Sequence, residues 1–289
     1  MNEMNRSINK SINRSGEALI EEVQNTEVPY GCLAVWFLGQ ESVIIKGGGV
    51  TVYVDPFVSE FEARTYPAPI RPEHITGADL CLITHEHIDH MDPATLSVMV
   101  GSNPAMKMVA PAWCRKPLLE ESGVQEDKLQ NAETGVWISP LEGLRLQAIP
   151  AAHEQLEQDG QGFHRYVGYI LELNGVALYH AGDTVIYDGL LENVRQHNVD
   201  LAMLPINGRD YFRTSRDIVG NMDYREAAEF AYAAGFETVI PLHYDLFAGN
   251  AENPGYFADY LYRHFPEQKF HIMARAERFV YVSPRAFLC

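Results

Sequence analysis

The chain has 289 residues, 46% hydrophobic and 21% charged, with 39 acidic against 22 basic side chains and a formal net charge of −17. That length suffices for one large α/β domain or two small ones with a sizeable core. The carboxylate excess argues against a nucleic-acid backbone as main partner, and no apolar run approaches the ~20 residues of a membrane helix.

Residues 1–30 are polar with scattered apolar positions, and are expected to form an N-terminal helical arm ahead of one catalytic domain, 31–289. A helix is expected over 17–24, because Leu19, Ile20 and Val23 fall on one face. Packing on the domain surface is the simpler reading; reaching a neighbouring subunit of a homo-oligomer is the other. The polar N-terminus lacks the apolar core of a signal peptide. Cys32, Cys81, Cys114 and Cys289 show no short paired spacing. A cytoplasmic protein with free thiols is therefore expected.

From Gly31 the pattern becomes strands over 33–38, 42–46 and 50–54, the last two joined by Gly47-Gly48-Gly49. Asp55, at a strand end before Pro56, reads either as a turn former or as a carboxylate orienting a metal-bound histidine. A short apolar strand, 78–83, then runs into Thr84-His85-Glu86-His87-Ile88-Asp89-His90-Met91-Asp92-Pro93. Asp92 as N-cap and Pro93 at the first helical position start a helix. The cluster thus sits on a strand-to-helix loop. In extended backbone His85 and His87 point the same way and can hold one metal, while Asp89 and His90 aim at a second position as the loop turns. Imidazole and carboxylate suit Zn, Mn or Fe. The rival H-E-x-x-H pattern fails, because position 89 is Asp.

His85-x-His87-x-Asp89-His90 resembles the H-x-H-x-D-H signature of the metallo-β-lactamase superfamily. The resemblance implies three further ligands at strand ends: a His, a bridging Asp or Glu, and a last His. In chain order, a strand over 144–149 runs into His153, which stands where the third histidine belongs. Residues 155–165 form a polar loop. A hairpin over 167–173 and 176–179 crosses Asn174-Gly175 and ends at His180-Ala181-Gly182-Asp183-Thr184, which resembles the family's bridging G-D-T element. A strand over 201–205 leads into a loop holding Asn207, Arg209, Tyr211, Arg213 and Arg216. A helix over 224–234 and a strand over 238–245 follow, carrying His243 as the last histidine. The resemblance implies two divalent ions (Zn or Mn, with Fe as a third choice). His85, His87 and His153 would hold one, Asp89, His90 and His243 the other, with Asp183 bridging. Two β-then-α halves, 31–154 and 166–289, imply an α/β fold: a four-layer αββα sandwich with the site at one edge of its sheets.

The stretches 33–39, 84–90, 178–183 and 239–245 resemble a narrower group, the L-ascorbate-6-phosphate lactonase-like proteins, although only 57–77 fills the gap where those proteins carry an insertion. The expected activity is therefore opening of a sugar-type lactone by metal-bound hydroxide. Asp89 or a bound water would deliver the proton to the leaving alkoxide, and a metal or a donor such as Asn207 or Tyr211 would hold the oxyanion. Arg209 and Arg213 are expected to bind an anionic substrate; salt bridges to surface carboxylates are the competing reading. A phosphodiesterase or nuclease on the same fold is the alternative. A redox member is disfavoured by His87, and a non-catalytic binding protein by the full ligand set. The partner is thus expected to be a small molecule rather than nucleic acid or membrane.

Overall fold

Strand β1 (Cys32–Gly39) is buried along its whole length, because it carries apolar side chains on both faces. Leu33, Val35 and Phe37 face one core, and Ala34, Trp36 and Leu38 face another, as the two-residue period of a strand requires. In the computed structural model, which describes residues 14–287, this strand lies near the edge of a seven-stranded sheet. β2 (Ser42–Gly47) and β3 (Val50–Val54) continue from it as an antiparallel meander. β4 (Leu80–Leu82), β5 (Lys107–Ala110) and β6 (Leu129–Asn131) add on in parallel.

The second sheet also has seven strands. β7 (Trp137–Leu141), β8 (Leu144–Pro150), β9 (Val167–Leu173) and β10 (Val176–His180) run antiparallel, and β11 (Leu201–Pro205), β12 (Thr238–Leu242) and β13 (Lys269–Phe270) extend it in parallel. Asn174 and Gly175 turn the β9–β10 hairpin with φ of 54° and 79°, as a tight hairpin requires.

The helices split between the outer faces. α1 (Glu17–Asn25), α2 (Pro93–Ser102) and α3 (Ala112–Pro117) bury Leu19, Leu96 and Cys114 against the first sheet. α4 (Leu190–Arg195), α6 (Tyr224–Ala234) and α7 (Pro254–His264) bury Val194, Phe230 and Phe257 against the second, with α5 (Tyr211–Thr214) a single turn between them. Three cores separate four layers, so the fold is the αββα sandwich that the sequence pattern implies.

The two halves divide differently from the expectation. The expected first half, 31–154, contains β8, yet β8 pairs in the second sheet, and the chain changes sheets between β6 and β7. The C-terminal strand β14 (Arg278–Val282) returns to the first sheet and pairs antiparallel with β1. Its Phe279 and Tyr281 pack on the inter-sheet core, and its ladder covers an edge that β1 would otherwise expose. β6 and β7 were not anticipated. Both are short or half-buried, and Pro140 within β7 reads against a strand away from a sheet edge.

α1 packs on the domain itself. Leu19, Ile20 and Val23 are buried, Trp36 Nε1 donates to Glu22 at 3.3 Å, and Lys46 Nζ donates to the Val23 and Gln24 carbonyls at 2.6 and 2.7 Å. Residues 1–13 of the expected arm, and Cys289, lie outside the described residues. Among the described residues, Cys32, Cys81 and Cys114 are buried and unpaired, and no helix is long and apolar enough to cross a membrane.

Candidate metal centre

The H-x-H-x-D-H loop leaves the end of β4 and closes on itself before α2, with the His90 and Met91 amides donating to the His87 carbonyl at 3.0 and 2.8 Å. Asp92 caps α2 by accepting from the Ala94 amide at 3.1 Å. Asp55, at the end of β3, braces the loop from below. It accepts from the Thr84 amide at 2.8 Å and the Thr84 hydroxyl at 2.6 Å, and lies 2.7 Å from His90 Nδ1. Of the two readings of Asp55, the carboxylate on a histidine is the one the structure shows. A proton on Nδ1 toward Asp55 leaves Nε2 of His90 aimed at the centre.

The remaining histidines and the aspartate arrive from the far sheet. His153 follows β8, Asp183 follows β10 and His243 follows β12. The ligand atoms of His85, His87 and His153 lie within 4.8 Å of one another, as do those of Asp89, His90 and His243. Asp183 sits between the groups. Its Oδ1 is 3.5 Å from His90 Nε2, and its Oδ2 is 3.6 Å from His153 Nε2 and 3.4 Å from His243 Nε2. Gly182, at φ 58°, makes this possible: a Cβ there would meet the Val167 carbonyl at 2.8 Å and Thr84 at 2.9 Å. Gln40, Asp55, Glu154 and His243 also adopt positive φ, from 45° to 64°. Such strain in non-glycine residues collects at functional sites.

Cations fit this arrangement. Two ligand atoms on a tetrahedral ion, each with a bond of roughly 2.1 Å, lie roughly 3.4 Å apart, close to the distances around Asp183. His90 Nε2 and Asp183 Oδ1 are buried without a hydrogen-bond partner, a costly state that an ion between them would relieve. Burial, with His90 nearby, pushes the His85 imidazole well below its usual range, and burial lowers His153 too; neutral imidazole is the form that binds metal. Burial opposes charge on His90 and Asp183, but each overcomes it. Asp183, Asp89 and Asp55 hold His90 well above its ordinary range, and His243 and His90 hold Asp183 well below.

Three supporting groups, Gln40, Glu41 and Glu86, escaped the sequence reading. Gln40 Nε2 donates to Asp89 Oδ2 at 2.8 Å and lies 3.0 Å from His243 Nε2, while its carbonyl accepts from the His243 amide at 3.1 Å. Glu41 beside it is fully buried. His180 Nε2 donates to the Glu41 carbonyl at 3.0 Å, and His180 Nδ1 accepts from Gly182 at 3.3 Å, which positions the bridge residue's neighbour. The signal was a polar pair, Gln40-Glu41, between two largely apolar strands. Glu86, inside the motif, binds Arg165, which also bonds Glu157 at 2.8 Å and so anchors the 155–165 loop.

The expected substrate loop does not reach the site. A cavity of about 440 Å³ opens over the cluster, with Phe61, Ile88, Ile218, Val219 and Phe247 on its walls and Asp217 at its rim. Asn207, Arg209, Tyr211 and Arg213 do not line it. Asn207 is buried between Asn250 and Asn221 at 3.0 and 3.1 Å. Arg209 makes a two-pronged pair with Glu226, both bonds 2.6 Å, and Arg213 donates to the Asn207 and Ala251 carbonyls. Tyr211 is 78% exposed. Nearby acceptors satisfy the arginine forks, so the salt-bridge reading of Arg209 holds.

A four-layer sandwich with a histidine–aspartate cluster at its strand ends is the hallmark of the metallo-β-lactamase class. The family description "Beta-lactamase superfamily domain" matches residues 51–244. The chain belongs to the UPF0173 metal-dependent hydrolase family within that superfamily. It is 31% identical over 230 residues to the family's protein from Thermococcus kodakarensis and 32% over 226 residues to that from Thermococcus onnurineus, in each case over 77% of this chain and 89% of the relative. It shares its fold with a metallo hydrolase from Ignicoccus hospitalis at TM-score 0.67 and 22% identity, over 86% of this chain and 98% of that one.

Proposed function

We propose that this protein hydrolyses a lactone or a closely related ester, with the histidine–aspartate cluster as its active site. The observation that carries the reading is the convergence of seven metal-compatible side chains from four separate segments beneath one open cavity. His85, His87 and His153 would hold one ion, and Asp89, His90 and His243 the second. Asp183, with an oxygen toward each group, would bridge them. Divalent ions so placed supply a water that ionises near neutral pH and an electrophile for a carbonyl oxygen. Asp89, which lines the cavity, would carry a proton to the leaving alkoxide. The Gln40 amide holds that carboxylate in position, and Asp55 with Thr84 holds His90. No covalent nucleophile is needed; Cys32, Cys81 and Cys114 are buried in the cores. Arg209 and Arg213 are engaged elsewhere and offer no counter-charge to an anionic, sugar-type substrate.

The test is a panel of lactones, simple esters and phosphodiesters with purified protein of measured metal content. Lactone hydrolysis should vanish with a chelator and return with Mn or Zn. Activity that survives the chelator would overturn the site, and turnover of phosphodiesters alone would make the protein a phosphodiesterase.

A further inference from the structure

We infer that the cavity over the candidate metal centre selects a neutral substrate carrying an apolar chain or ring beside the reacting carbonyl. The inference rests on the hydrolase reading for what the site does, and on the cavity's own walls for what it admits. Its volume, about 440 Å³, falls within the roughly 300–1,000 Å³ of small-molecule sites. Apart from the cluster side chains, Asp217 and Asn250, the side chains on the walls are apolar. Phe61 and Ile88 remain 39% and 44% exposed, which is costly unless something covers them. Phe61 packs edge-on against Phe57 at 5.6 Å and Phe247 at 6.0 Å, so this wall is held rigid. Ile218 and Val219 line the cavity as well, from the segment after α5.

Charge points the same way. Among the described residues no lysine or arginine lines the cavity, and Asp217 stands at the rim. Cations in the centre would attract the polar head of any substrate, so discrimination between neutral and anionic tails falls to the walls. Arg64 lines the adjoining cavity instead. Its guanidinium stacks 4.1 Å from the Phe57 ring centre and donates to the Phe57 carbonyl. A carboxylate or phosphate on the tail would meet aromatic and aliphatic carbon, the Asn250 amide and one carboxylate, and would lose most of its hydration without a counter-charge.

The experiment measures binding apart from turnover. γ-Lactams, which resist hydrolysis, are titrated into purified protein by calorimetry with alkyl tails of increasing length, each beside a counterpart ending in carboxylate. Affinity should rise about fourfold per methylene over the first carbons, and the carboxylate forms should bind at least about tenfold more weakly. Ile218→Ala and Phe247→Ala should flatten the length dependence; Ile218 lies on a surface segment, so that variant serves if the packed Phe247 variant fails to fold. Asp217→Lys should narrow the neutral-to-anionic gap. Flat length dependence, or carboxylate forms binding as well as neutral ones, would overturn the inference. Lactams that bind as expected, with no lactone or ester turned over, would uphold it and sink the lactonase reading. Lactone turnover with flat binding would do the reverse.

Discussion

Asp55 holds one side of the centre through three bonds, two to Thr84 and one to His90. A carboxylate behind a ligating imidazole fixes its tautomer and raises its basicity, and losing it typically costs 10–100-fold in metal affinity. Asp55→Asn should weaken metal binding by about that factor in a chelator competition; unchanged affinity would make Asp55 only a turn residue. Glu41 is the opposite case, a carboxyl buried beside other carboxylates. Burial first, then Asp183, pushes it well above its usual range. A carboxyl raised in this way keeps its proton in the folded state, so folding takes up a proton. Stability then falls by about 1.4 kcal/mol per pH unit as pH rises from roughly 4.3 to the raised value. Urea unfolding of metal-free protein should show that slope above about pH 5, and Glu41→Gln should remove it. Parallel pH profiles for parent and variant would refute the assignment.

The elements that matter most are short. β4 has three residues and the loop after it carries four of the seven cluster side chains, so the centre depends on neighbours pinning that loop. α1 lies against the outer face of the same sheet, where Leu19 is 1% exposed. If α1 belongs to the domain, Leu19→Ala should cost about 2–5 kcal/mol in equilibrium unfolding, with no dependence on protein concentration. A loss that shrinks with dilution would instead place the helix on a partner subunit. Glu226, in the first turn of α6, is both the partner of Arg209 from the 207–216 loop and part of the box that caps α6. The arginine therefore serves a helix start, which a reading of the loop alone could not see.

Across the whole molecule the cluster joins both sheets: residues 85–90 come from the first, and His153, Asp183 and His243 from the second. A cation held there would cross-link the sandwich and stabilise only the folded state, by about 2.7 kcal/mol when present at a hundred times its Kd. Chelation should lower Tm by roughly 5 °C or more, and re-addition of metal should restore it. An unchanged Tm in protein shown to bind metal would mean that the sheets are held together without it.

The sequence by itself determined the strands β1 to β4, the β9–β10 hairpin and the compact half of the centre. Those features rest on local periodicity and on side chains a few bonds apart, so neighbouring residues suffice to specify them. His153, Asp183 and His243 were legible only because a resemblance said what to look for at three strand ends. Tertiary structure alone decided where the sheets divide, that β14 returns to β1, that Gln40 supports Asp89 and His243, and that apolar walls rather than arginines surround the centre. Each of these depends on segments far apart in the chain. Which acceptor satisfies a guanidinium, and which face of a strand finds a partner, is settled by packing and not by the order of residues around it.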